Sequence, residues 1–214
     1  MHICFDWDGT LARFEIAHEA AMRRSRTLGQ EFDPAWLKEA MKTDKHYENN
    51  KELIKKYTGV TDERVQTSMM TDLFRYHYLG VANEKKDEVL FPEIKDMLSS
   101  LKQNNTLSIA TTLRQDIVDE VLKNLGIRDY FEYVQGNNPE LDYTKQQLLD
   151  HVIDNSVKDK IEPPSYMVGD KKDDVDAAKA RNMKGVLVTW GSHQSYEKAD
   201  YTANSVKELE KYFH

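Results

Sequence analysis

The chain has 214 residues, a net charge of −7, 39% hydrophobic and 31% charged residues. That length accommodates one large core or a core with an insert, and no apolar run nears the roughly 18 residues needed to span a bilayer. The acidic balance argues against nucleic acid as partner, and a single cysteine, Cys4, excludes a disulfide framework or Cys-based zinc site. The first residues lack a basic segment and a small-residue cleavage site, so no signal peptide is expected and the setting reads as reducing and cytoplasmic.

In chain order, "HICF" at residues 2–5 is a short apolar run that reads as a strand. It leads directly into Asp6-Trp7-Asp8-Gly9-Thr10. From about residue 15 to 88, apolar residues recur at three- and four-residue spacing, as in "IAHEAAMRRSRTL" and "VQTSMMTDLFRYHYL", which predicts helices almost throughout. Asp33-Pro34 reads as a helix start, and Thr61 or Asp62 as the cap of the next long helix. After Pro92 the rhythm changes. "EIKDMLSSLKQN" is a helix, "TLSIAT" a strand, "QDIVDEVLKNLG" a helix and "FEYVQG" a strand. "TKQQLLDHVIDNS" is a helix, "SYMVG" a strand, "DDVDAAKARN" a helix, "KGVLVTW" a strand and "SVKELEKYF" the closing helix.

Short apolar runs alternating with amphipathic helices predict an α/β fold, a doubly wound, Rossmann-like parallel sheet with helices on both faces. The helical block interrupts that rhythm after the first strand. It is therefore expected to be an inserted α-helical cap, residues 15–88, on a core of residues 1–14 and 89–214, with hinges near 11–15 and 85–91.

Open parallel sheets bind ligands at the carboxyl ends of their strands. Here those ends carry Asp6 and Asp8, then Thr111-Thr112, then Lys145 opening the next helix, then Asp170 with Asp173 and Asp174 close behind. Asp6, Asp8, Asp170 and Asp174 would repel one another if bare, and a hard divalent cation such as Mg²⁺ resolves that with oxygen ligands. Thr111 can donate to a phosphoryl oxygen, Lys145 can neutralise it, and the amides near Asp8 and Gly9 can point at the same oxygens. Each piece alone has a plain structural reading: Asp-Gly as a turn, the acidic run as a helix N-terminus, Lys145 as a surface lysine. Their order at four strand ends carries the argument.

"DWDGT", "IATT", the isolated Lys145 and "VGDKKDDVDAAKA" resemble the four motifs of the haloacid dehalogenase-like hydrolase superfamily. "LVTWG" and "ADYTANSVKELEKYF" look like the end of its phosphoglycolate phosphatase-like members, and the resemblance covers essentially the whole chain. It implies that Asp6 is a nucleophile forming an aspartyl-phosphate, with Asp8 as general acid and then base, a role that needs a pKa raised above about 3.9. It implies that Asp6, the backbone carbonyl of Asp8 and Asp170 hold Mg²⁺, that Asp174 orients a metal-bound water or Lys145, and that Thr111 and Lys145 bind phosphate. Leu11-Ala12-Arg13, Thr112-Leu113-Arg114 and Lys145-Gln146 depart from common family patterns without removing a catalytic group.

A helical cap in such relatives selects the leaving group. The stretch "KTDKHY" supplies Lys45 and His46 as candidate substrate contacts, and the core side supplies Gly9, Thr112 and Arg114. The expected activity is Mg²⁺-dependent hydrolysis of a small phosphomonoester, phosphoglycolate-like in type. Pyrophosphate, a sugar phosphate, a nucleotide or a phosphomutase reaction are alternatives within the same chemistry, and a phospho-accepting signalling domain is the non-enzyme alternative. The expected partner is a small phosphorylated metabolite, with no nucleic acid or membrane, for a monomer or homodimer. Other metal motifs fail. An EF-hand counted from Asp6 would need Gly and an acid where Leu11 and Ala17 stand, and "HEAAM" ends in Met22 rather than a zinc-binding His. Cys4, Trp36 and Met69-Met70 read as core residues.

Overall fold

A computed structural model describes residues 1–29, 33, 35, 51, 52, 54–56, 58–139, 141–156, 165–192 and 195–214. Pro34 and Trp36 lie outside the described residues. The elements are β1 (His2–Phe5), α1 (Phe14–Thr27), α2 (Glu63–Glu84), α3 (Ile94–Leu101), β2 (Thr106–Arg114), α4 (Gln115–Leu125) and β3 (Tyr133–Asn137). There follow α5 (Lys145–Ser156), β4 (Ser165–Gly169), α6 (Lys172–Ala180), β5 (Lys184–Val188), β6 (Tyr201–Ala203) and α7 (Val206–Phe213).

The strands form one six-stranded sheet in the order β3-β2-β1-β4-β5-β6, with parallel pairing throughout. This is the α/β parallel sheet that the alternation predicts. Three strands differ from expectation in their limits. β2 runs on to Arg114 because it resumes pairing with β3 at Arg114–Asn137 after a register shift beyond Ala110. β3 starts at Tyr133, since Arg128–Tyr130 forms a turn of 3-10 helix ahead of it. β5 stops at Val188, so Thr189 and Trp190 belong to the loop that follows. The short edge strand β6 had no periodic signal at three residues.

The chain divides into two compact units, residues 1–13 with 87–214, and residues 14–86. In the first, Cys4, Ala110 and Met167 from three adjacent strands pack with Leu148, Leu149 and Val152 of α5 and Ala177 and Ala178 of α6. Ile3, Phe5, Ile109 and Val168, which alternate with them along the strands, are buried too, so both faces of the sheet are covered. Burial of each such large side chain contributes roughly 1.5–3 kcal/mol. The segments that leave and re-enter this unit run side by side: Arg13 N donates to Val89 O at 2.8 Å and Phe91 N to Leu11 O at 3.1 Å.

In the second unit, α1 turns Ala17, Ala20 and Ala21 inward. Phe74 of α2 packs against Ala21 and Met22. Asp62 caps α2, its carboxylate accepting from Arg64 N and Val65 N. Leu28, Ile54 and Met70 form a further cluster with Met69 and Leu73 against it.

Candidate functional site

The carboxyl end of β1 is fixed by its backbone before any side chain is considered. Asp6 N donates to Val168 O at 2.9 Å, carrying the β1–β4 pairing one residue past the strand. The chain then folds back over the fully buried Trp7, whose carbonyl accepts from Leu11 N at 3.0 Å and Ala12 N at 2.9 Å. Gly9 occupies φ +85°, and a Cβ there would lie 2.5 Å from Asp170 Oδ2. Only glycine tolerates both conditions. The Gly9 amide, expected to face a substrate oxygen, instead donates to Ala12 O at 2.8 Å. What Gly9 supplies is room for Asp170.

Three buried carboxylates meet at this edge. Oxygens of Asp6, Asp170 and Asp174 lie within 4.8 Å of one another. Asp6 Oδ1 accepts from Trp7 N at 2.7 Å and pairs with Lys145 Nζ at 2.7 Å. The same ammonium lies 3.0 Å from Asp174 Oδ1 and donates to Ala110 O at 3.1 Å. Asp174 sits in the first turn of α6, where Oδ2 accepts from Lys171 N at 3.1 Å. Lys145 is the first residue of α5, held there by reciprocal bonds between Thr144 and Gln147: Thr144 N donates to Gln147 Oε1 and Gln147 N to Thr144 Oγ1.

Three buried carboxylates face one ammonium, and burial together with that imbalance shifts the pKa values of Asp170, Asp174 and Lys145. Burial raises the Asp170 pKa, and the Asp6 charge adds to the rise. Burial likewise pushes Asp174 well above the usual carboxylate range, with Asp6 and Asp170 contributing against the pull of Lys145. For Lys145, burial opposes the charge, yet Asp174 and Asp6 outweigh it and hold the pKa above the ordinary lysine value. Asp170 Oδ1 is buried and has no hydrogen-bond partner among the described residues. An all-oxygen donor set with excess negative charge and such an orphaned oxygen fits a hard divalent cation.

The remaining candidates are distributed around this cluster. Asp8 is half-buried on the same loop, and its carboxylate is not among the three that converge. The register shift in β2 covers Thr111 to Leu113, turning Thr111 inward and Thr112 outward. Thr111 Oγ1 accepts from Leu113 N at 3.1 Å and keeps its own O–H to donate. Arg114 is clamped by Asp116, Nε at 2.7 Å and Nη2 at 2.9 Å, so its guanidinium is already committed to a carboxylate. Lys45, His46 and the rest of "KTDKHY" fall outside the described residues.

One supporting element had no counterpart among the candidates. The loop after β5 brings Trp190, Gly191 and Ser192 against the Thr10, Gly9 and Asp170 backbone. Trp190 Nε1 donates to Thr10 O at 3.0 Å, and Ser192 Oγ donates to Asp170 O. A Cβ on Gly191 would fall 2.0 Å from Gly9 O, so the two loops touch backbone to backbone. "LVTWG" was visible in the sequence, but nothing local says that its donors reach across the chain to residue 10.

A parallel sheet that gathers three carboxylates and a lysine at its carboxyl edge places the chain among the doubly wound α/β enzymes. The haloacid dehalogenase-like hydrolase family model matches residues 3–188, and the chain belongs to that family. Among curated relatives, it is 27% identical over 198 residues to a phosphoglycolate phosphatase of Colwellia psychrerythraea, covering 88% of this chain and 84% of that one. It is 31% identical over 104 residues to a phosphoglycolate phosphatase of Synechococcus elongatus, where the match spans 48% of this chain and 47% of the relative, about half its length. Among solved structures, CbbY from Rhodobacter sphaeroides in complex with phosphate superposes with a TM-score of 0.74 at 20% identity, over 97% of this chain and 95% of that one. A haloacid dehalogenase-like family protein from Streptococcus pneumoniae gives a TM-score of 0.71 at 23% identity, covering 100% and 98%. These two likenesses establish the fold.

Proposed function

We propose that this chain is a phosphatase of small phosphomonoesters, phosphoglycolate-like in type, working through an aspartyl-phosphate on Asp6. The observation that carries the reading is the Asp6 carboxylate, buried at the end of the central strand, paired with Lys145 at 2.7 Å and clustered with Asp170 and Asp174. A carboxylate is a weak nucleophile, so position and charge cancellation do most of the work. The bonds from Trp7 N and Lys145 Nζ both fall on Asp6 Oδ1, which fixes the carboxylate's orientation and leaves Oδ2 as the attacking oxygen.

Lys145 neutralises charge on the transferring phosphoryl group, and Thr111 donates its O–H to a phosphoryl oxygen. Asp8, on the loop that Trp7 anchors, protonates the leaving oxygen and then takes a proton from the water that releases phosphate. Asp6, Asp170 and the Asp8 carbonyl would hold Mg²⁺, with Asp174 behind them. The ion supplies charge stabilisation at the phosphoryl oxygens. In this reading the helical insert selects the leaving group, with Lys45 and His46 as the candidate substrate contacts. The named activity of the Colwellia and Synechococcus relatives supports phosphoglycolate as the first substrate to try.

The test is phosphate release from a panel of small phosphate esters and pyrophosphate, with Mg²⁺ and with EDTA. Release that needs Mg²⁺ and vanishes in Asp6→Asn, with unchanged circular dichroism, is expected. Undiminished turnover in Asp6→Asn removes the nucleophile, and an Asp170→Asn variant with an unchanged Mg²⁺ titration removes the metal assignment.

A further inference from the structure

Away from the carboxylate cluster, α1 and α2 enclose a groove of about 580 Å³ within the second unit. Arg23 and Arg26 line it from α1; Arg75, Tyr76, Leu79 and Gly80 line it from α2. The chain as a whole carries −7, whereas the described residues that line this groove include the guanidinium groups of Arg23, Arg26 and Arg75 and the carboxylate of Glu84. Glu84 is engaged by Arg23 at 2.7 Å, and Arg23 is further held by Glu19 at 2.6 Å. His77, tied to Thr27 across the helix pair at 2.8 Å, has a lowered pKa, through burial first and then the positive charges of Arg23 and Arg24.

Gly80 is the second and independent observation. It stands inside a helix of 22 residues, where glycine costs roughly 1 kcal/mol relative to alanine. Its φ is helical and a Cβ would meet nothing within 4 Å, so packing does not demand the glycine. What the missing side chain does is leave the floor of the groove open. Beside it, Tyr76 is 72% exposed, with its ring edge-on to His77 at 5.1 Å, a flat apolar wall facing solvent.

We propose that this groove binds a small aromatic phosphate of the nucleoside monophosphate class. The phosphate lies between Arg26 and Arg75, and the ring rests over Gly80 against Tyr76. Arginine provides the forked donors that phosphate accepts, and an open aromatic face stacks on a planar ring. A ligand seated there bridges the two helices on which the second unit is built and stabilises that unit on binding.

The experiment is calorimetric titration of the full chain with AMP in EDTA, beside inorganic phosphate and adenosine alone. AMP is expected to bind better than either fragment. Arg26→Ala should weaken it about tenfold or more, the loss of one charge-assisted contact. Gly80→Leu should abolish binding by filling the floor, while Gly80→Ala should raise the melting temperature. Absence of AMP binding at millimolar concentration overturns the proposal, as does binding that Arg26→Ala leaves unchanged. Phosphate alone matching AMP removes the aromatic part. Should Gly80→Leu fail to fold, the exposed Arg26 still decides the matter.

Discussion

Replacing Gly9 with alanine tests whether the β1 loop and Asp170 are fitted to one another. Two penalties can be worked from the structure. Alanine at φ +85° costs roughly 1–2 kcal/mol in backbone strain. The new methyl group would also sit 2.5 Å from Asp170 Oδ2 and 2.7 Å from its Cγ, where ordinary contact begins at 3.4 Å. Either the carboxylate or the loop must therefore move by about 1 Å, and overpacking of that kind costs about 1–3 kcal/mol. The sum, about 2–5 kcal/mol, corresponds to a fall in melting temperature of roughly 5–15 °C for a chain of this size. The displaced groups are the Asp8–Gly9 loop and Asp170, and misplacement by about 1 Å costs on the order of 10²-fold in rate. Thermal unfolding by circular dichroism and steady-state phosphate release with a Mg²⁺ titration read both effects. A Gly9→Ala protein that melts at the native temperature and turns over within about twofold of native would refute the close approach and the coupling of this loop to Asp170.

Trp190→Phe keeps an aromatic ring near Phe91 and removes the donor to Thr10 O. It should cost about 1–3 kcal/mol and raise the Mg²⁺ midpoint several-fold while the substrate KM stays nearly constant; a Mg²⁺ midpoint identical to native would refute the positioning role. His2, buried and hydrogen-bonded through Nε2 to Ser108 Oγ at 2.7 Å, has its pKa lowered to about 4, by burial first and by the N-terminal amino group second. Its proton is bound more readily in the unfolded chain, so the stability it confers is complete above about pH 6.5 and is lost as pH falls from there toward 4. Unfolding free energy should drop by about 2 kcal/mol more between pH 7 and pH 5 in the native protein than in His2→Gln, and equal slopes in denaturant titrations would discard the assignment.

Much of the candidate site was legible because its residues stand where strands end. Asp6 follows "HICF", Asp170 follows "SYMVG", and Lys145 opens a helix, so strand and helix periodicity alone brings them toward one edge. Four residues converge there in the structure: Asp6, Lys145, Asp170 and Asp174. Parts of the supporting frame were less accessible. The Thr144–Gln147 reciprocal cap is written in "TKQQ" as Thr-x-x-Gln and was within reach of the known signature. The Trp190–Thr10 and Ser192–Asp170 bonds join residues far apart in sequence, and no local pattern encodes them. Arg114 stood among the candidate substrate contacts, and its clamp by Asp116 was not legible because it depends on rotamers rather than spacing. β6 is too short to show a period, and it exists because β5 offers it an edge.

The position of β1 also governs how the molecule must fold. It is the first strand made and lies in the interior of the sheet, yet its two neighbours are β2 and β4: His2 pairs with Thr106 on one side and with Ser165 on the other. A strand of four buried residues therefore waits through half of the chain before one side is covered and through three quarters before the other is. Pairing of that kind closes long loops before any contact repays them, which slows folding and leaves an exposed strand prone to wrong association. Asp6, at its tip, acquires Lys145 and Asp174 only after both distant segments have docked. Chains that stop short of β4 would thus carry Asp6 and Lys145 but neither Asp170 nor Asp174, and completion of the carboxylate cluster in refolding should trail the recovery of helical signal.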